Sequence, residues 1–129
     1  MADDPTAEEA DQERPLPDVL WEFASPWLGD IEKATLREAQ AGMDLATMVW
    51  NAVVLEQIKG TSEAMRALRE HALTMPPPGS HEMLEYIDVY RQRKLSKYAD
   101  DLRVIREHEV VKAEGGALRL TLEYGRLKE

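Results

Sequence analysis

The chain has no cysteine among its 129 residues, which rules out disulfides and thiolate chemistry and leaves the redox compartment open. Aromatic residues are scarce, with three Trp, four Tyr and one Phe, so a core must be built mainly from Leu, Val, Ile, Ala and Met. Seven glycines lie scattered at stops and turns, and none belongs to a phosphate loop, a dinucleotide fingerprint or a nucleophile elbow. No internal repeat stands out. No apolar run approaches the roughly 20 residues of a membrane span; the stretch 45–55 is too short and is flanked by Asp44 and Glu56. The first fifteen residues are acidic and lack an apolar centre, the opposite of a secretory signal, so a cytoplasmic protein is expected.

Positive charge is also in short supply. The net charge is −9, which argues against nucleic acid or anionic lipid as the main partner. The deficit is local: residues 1–18 carry seven acids and Arg14, a sum of −6, and the remaining chain is close to balanced. Residues 1–15 have almost no sizeable apolar side chain to offset the entropy of ordering, and they read as a disordered, solubilising acidic tail.

Apolar material begins at Leu16 and is sufficient for one domain over 16–129, with 43% of the whole chain hydrophobic. Leu16, Val19, Leu20, Phe23 and Trp27 recur at helical steps with Pro17 in the first turn, predicting a short helix that ends near Ser25-Pro26. Trp21 and Trp27 read as lids over the core. Asp30 is a candidate N-cap for a second helix, with Ile31, Ala34, Thr35 and Glu38 on one stripe and Gly42 as its stop. The stretch 44–59 reads as the central helix, about 24 Å long, capped by Asp44 and closed by Gly60. Along it Asp44, Thr47 and Asn51 share one narrow face, and a buried Asn51 needs partners, expected in the backbone of a neighbouring loop.

Two further helices follow, over 63–74 with Thr61 or Ser62 as cap, and over 81–98 with Ser80 as cap. Between them Pro76-Pro77-Pro78 forms a stiff connector that no helix crosses. The period then changes. Leu118, Leu120, Leu122 and Tyr124 alternate with Arg119, Thr121 and Glu123, the pattern of a half-buried strand. With Gly115-Gly116 as the turn, residues 101–125 predict an antiparallel hairpin. A two-residue turn would set Val111 opposite Leu120; a three-residue loop would set Val110 opposite Leu120 and Arg106 opposite Tyr124. The fold class is therefore α+β, mostly helical, with about five helices and a C-terminal hairpin packed on them.

Candidate chemistry is thin. His81-Glu82-Met83-Leu84-Glu85 resembles half of a zinc helix but lacks the second histidine, and acids in a first helical turn account for it. His71 ends a helix. His108 lies between Glu107 and Glu109, whose carboxylates point to the opposite face, so no orienting acid is expected for it. No Glu-x-x-His pair occurs, and no metal or cofactor is expected. One charge feature stands out: Arg91, Arg93, Lys94, Lys97, Arg103 and Arg106 give a local sum of +4 against Asp100 and Asp101, with Tyr98 beside them. Solvated helix-end residues would account for most of it; as a site it would take an acidic protein partner or the chain's own tail. A lone hairpin leaves outer edges that invite another strand. The expectation is a non-catalytic interaction or accessory protein that binds a protein partner, or itself as a homodimer, through the hairpin edge and the 91–106 region. The alternatives are a small-molecule or enzymatic pocket near Asn51 and the tryptophans, and weak nucleic-acid binding through 91–106.

Overall fold

A computed structural model describes residues 14–28 and 35–126 of the chain. The acidic run 1–13 and the proposed cap at Asp30, with Ile31 and Ala34 behind it, lie outside these residues. Among the described residues there are five helices and a two-stranded antiparallel sheet, the α+β arrangement expected.

Helix α1, Leu16–Phe23, buries Leu16, Val19, Leu20 and Phe23 on one stripe and has a proline in its first turn. After Ala24 a four-residue helix α2, Ser25–Leu28, carries Trp27 onto the core, and Trp21 and Trp27 are both half-buried against it.

Helix α3, Leu36–Lys59, differs from expectation. Where two helices broken at Gly42 were predicted, one helix of 24 residues runs through, about 36 Å long. Gly42 is buried beside Ala39, Met43 and Ala46, and burial of this stripe outweighs the modest intrinsic cost of glycine. Asp44 lies inside the helix and does not cap it. The cap is Thr35: its hydroxyl accepts from the Glu38 N–H at 3.1 Å, and the Glu38 carboxylate accepts from the Thr35 N–H at 2.9 Å. Gly60, at φ +70°, ends the helix as expected.

Helix α4, Glu63–Leu73, follows Thr61, whose hydroxyl accepts from the Glu63 N–H at 3.3 Å. The proline connector leads into α5, Gly79–Lys97, which begins two residues earlier than predicted and buries Ser80 instead of using it as a cap. Helix α3 touches all four other helices. Between them lies an aromatic cluster centred on Phe23, with ring centroids 5.2 Å from Trp50, 5.1 Å from Tyr90 and 5.6 Å from Tyr98. The Tyr90 hydroxyl donates to the Ala24 carbonyl at 3.0 Å, and burial pushes its pKa up.

Strands β1, Arg103–Lys112, and β2, Leu118–Arg126, form the hairpin. Its loop is Glu114–Gly116, closed by the Ala113 N–H to the Ala117 carbonyl at 2.7 Å, with Gly115 and Gly116 at φ +82° and +87°. The three-residue register is realised, with Val110 opposite Leu120 and His108 opposite Leu122. A bulge between Ile105 and Glu107 then shifts the pairing, so that Ile105 and not Arg106 faces Tyr124. Glycine at 125 leaves room for the displaced side chain: a Cβ there would lie 2.8 Å from the Arg106 guanidinium.

Candidate functional site

The residues of the basic region do not form one exposed surface. Arg91 pairs with Glu56 at 3.1 Å, and the Arg93 guanidinium donates to the carbonyls of Glu22 and Phe23 at 2.9 and 3.2 Å, closing the C-terminal end of α1. Arg103 is buried and held by Asp101 at 2.5 Å. The Tyr98 hydroxyl donates to Glu22 at 2.6 Å; burial, with Glu22 beside it, raises its pKa to about 12. The same hydrogen bond, with Arg14, lowers the pKa of Glu22. Lys97 and Arg106 are exposed.

Lys94 departs furthest from a solvated helix-end residue. It has no accessible surface. Its ammonium donates to the Tyr98 carbonyl at 2.7 Å and to the Gln57 side-chain oxygen at 3.0 Å, and stands 4.7 Å from the centre of the Trp50 ring. Desolvation lowers its pKa from 10.5 to about 8, with Asp101 and Asp100 acting in the opposite sense.

The hairpin has two edges, and they are treated differently. Antiparallel residues alternate between pairs that exchange backbone hydrogen bonds and pairs whose N–H and C=O groups point outward. The Ala113–Ala117 bond fixes the parity, so Val110 and His108 on β1, and Ile105 beyond the bulge, point outward. Side chains of α3 meet these groups. Gln40 accepts from the Val110 N–H at 2.8 Å; Asn51 donates to the Ile105 carbonyl at 2.8 Å and accepts from its N–H at 2.9 Å. The Trp50 indole donates to the Arg103 carbonyl at 2.7 Å. The spacing works because eleven residues of helix and five of strand both advance about 16 Å. Helix α3 therefore runs along β1 in place of a third strand, and Asn51 bonds a strand, not a loop.

The polar face of α3 has further members. Asp44 accepts from the Gln40 amide at 2.7 Å and sits 2.6 Å from His108 Nε2, so His108 does have an orienting acid, supplied by a distant helix. His108 and Gln40 border an open cleft of about 860 Å³, also lined by Arg106, Glu107, Glu109 and Glu123. No side chain placed to act as a nucleophile is hydrogen-bonded to His108, and among the described residues no three His, Asp or Glu side chains gather as metal ligands. Thr47, between Asp44 and Asn51, has a buried hydroxyl without a hydrogen-bond partner.

Among the described residues the outer edge of β2 receives no such hydrogen bonds, although α1 touches the strand. Leu118, Leu120, Leu122 and Tyr124, with Arg126 at the strand's end, occupy the outward-pointing positions, and among the described residues the outward N–H and C=O groups of the first four meet no partner. Leu120 is buried on the inner face, Leu118 and Leu122 are half-buried, and Tyr124 is 51% exposed. The opposite face carries exposed Arg119, Thr121 and Glu123. Gln40 and this division of the two edges were not read from the sequence, although Gln40, Asp44 and Asn51 follow the same helical stripe that made Asp44, Thr47 and Asn51 conspicuous. Among the described residues no helix is long and apolar enough to cross a membrane. Comparison of the chain with protein-family models, with curated proteins and with solved structures returned no match.

Proposed function

We propose that this is a small non-catalytic interaction protein of the cytoplasm that takes up an extended strand from a polypeptide partner along β2. The observation that carries the reading is the contrast between the two edges. Four outward groups of β1 (the Val110 N–H, the Ile105 N–H and carbonyl, and the Arg103 carbonyl) are bonded by side chains of α3, whereas none of those of Leu118, Leu120, Leu122 and Tyr124 is bonded, which leaves them for another chain. Open edges are usually protected by brevity, proline, bulges or charged side chains, lysine above all. Strand β2 is nine residues long and contains neither lysine nor proline; its charged residues are Arg119, Glu123 and Arg126. Strand addition would draw affinity from main-chain hydrogen bonds and selectivity from the side chains beside them. Asn51 and Trp50 are both engaged by β1, which favours this reading over a pocket at those residues.

Leu122→Pro tests it. The Leu122 N–H points outward, so proline there removes an edge donor without removing a bond to β1. Leu122→Ala controls for the lost side chain, and circular dichroism checks that both variants fold. A partner isolated from the native host, a second copy included, should be retained by wild type and by Leu122→Ala and lost from folded Leu122→Pro. Retention unaffected by proline, or no partner of any kind, would overturn the reading.

A further inference from the structure

The uptake of a strand along β2, on which this inference rests, leaves the identity of that strand open, and the sequence of β2 itself narrows it. We infer that the strand is β2 of a second copy of this chain, antiparallel, with Thr121 on the two-fold axis. In such a pair the outward-pointing residues of one copy must face outward-pointing residues of the other, which discards every register that mixes the two classes. Of those that remain, a two-fold at Arg119 or at Glu123 would set like charges directly opposite, which is destabilising. A two-fold at Leu120 sets Arg119 against Thr121, and one at Leu122 sets Arg119 against Gly125, so neither gives Arg119 an acid.

The register centred on Thr121 does more. It sets Arg119 against the partner's Glu123 and Glu123 against the partner's Arg119, on the face where all three of these residues are exposed. Glu123 otherwise faces only Glu107 across its own hairpin, a like-charge pair. On the other face Leu118 meets the partner's Tyr124 and Leu120 meets the partner's Leu122. That contact would extend the apolar layer from which Tyr124 now projects half-exposed. Leu118, Leu120, Leu122 and Tyr124 all find outward-pointing counterparts, giving a continuous four-stranded sheet with β1 of each copy outside, its far edge lined by α3. A symmetric contact of this kind closes on itself and does not propagate.

The absence of cysteine makes the register directly readable. Opposed residues in a non-hydrogen-bonded pair stand about 4.5 Å apart at Cα, within disulfide range. Thr121→Cys should therefore form a disulfide-linked dimer on mild oxidation. Arg119→Cys and Glu123→Cys should each fail alone and succeed together. Sedimentation of the wild type should show a monomer–dimer equilibrium. Arg119→Glu or Glu123→Arg should each raise the dissociation constant about tenfold, and the combined charge swap should restore it.

These side chains are exposed, so the variants should fold, and circular dichroism checks that they do. A monomer up to near-millimolar concentration, with partner capture still abolished by Leu122→Pro, would overturn this inference and leave strand uptake standing. A dimer indifferent to Leu122→Pro would overturn both. A dimer that crosslinks through Arg119→Cys or Glu123→Cys alone, and not through Thr121→Cys, would overturn the register.

Discussion

Replacing Lys94 by methionine would expose the balance of forces in the core. The ammonium is fully buried with two hydrogen bonds and an aromatic face, and no carboxylate touches it. A folded-state pKa of about 8 against 10.5 means that the unfolded chain holds the proton over a range where the fold has released it. Stability then rises with pH between those values, and the charged form costs on the order of 3 kcal/mol relative to the neutral amine. Tyr90 and Tyr98 act oppositely, but only above their ordinary value of 10.0, where unfolded tyrosine begins to ionise. From pH about 8 to about 9.5 the wild type should gain roughly 2 kcal/mol from this group. Lys94→Met loses two hydrogen bonds, about 1 kcal/mol each, and with them the cost of burying the charge. It should match the wild type within about 1 kcal/mol near pH 7.5 and fall behind as pH rises. Urea titrations at each pH, followed by tryptophan fluorescence, give both curves. Parallel curves would refute the reasoning, as would a variant several kcal/mol weaker at neutral pH, because the buried cation would then be a net stabiliser.

Two further substitutions address the face that α3 turns to β1. Asn51→Ala strands the N–H and C=O of Ile105 and should lower stability by about 2–3 kcal/mol in urea, with Asn51→Asp giving little rescue because one carboxylate oxygen would then face the Ile105 carbonyl. Thr47→Val removes a buried hydroxyl that has no partner and should raise stability by about 1 kcal/mol, seen as a higher urea midpoint at unchanged slope.

Elements governed by local pattern were legible in the sequence. The stripe of α1, the stop at Gly60, the proline connector and the alternation of β2 each rest on residues within a few positions of one another, and the structure has all four. The break expected at Gly42 failed because burial of small residues outweighed local propensity. The Thr35–Glu38 capping box that marks the true start is a local signal of the same kind. A count of charges along 91–106 could not see that Glu22, Glu56 and Asp101 would meet Tyr98, Arg91 and Arg103, since two of those three acids lie far off in sequence. The alternation of the hairpin showed that edges existed. Which of them closes depends on the alignment of α3 with β1, matched over about 16 Å by side chains more than fifty residues from their backbone partners.

Amide hydrogen exchange resolved by residue tests most directly whether one edge of the hairpin is held by a helix while the other is open. In dilute protein the N–H groups of Ile105 and Val110 should be protected by Asn51 and Gln40, and those of Thr121 and Glu123 by pairing with β1. The amides of Leu120, Leu122 and Tyr124 should exchange far faster. Protection of these three equal to that of Ile105 and Val110, under conditions where the protein is monomeric, would contradict the account.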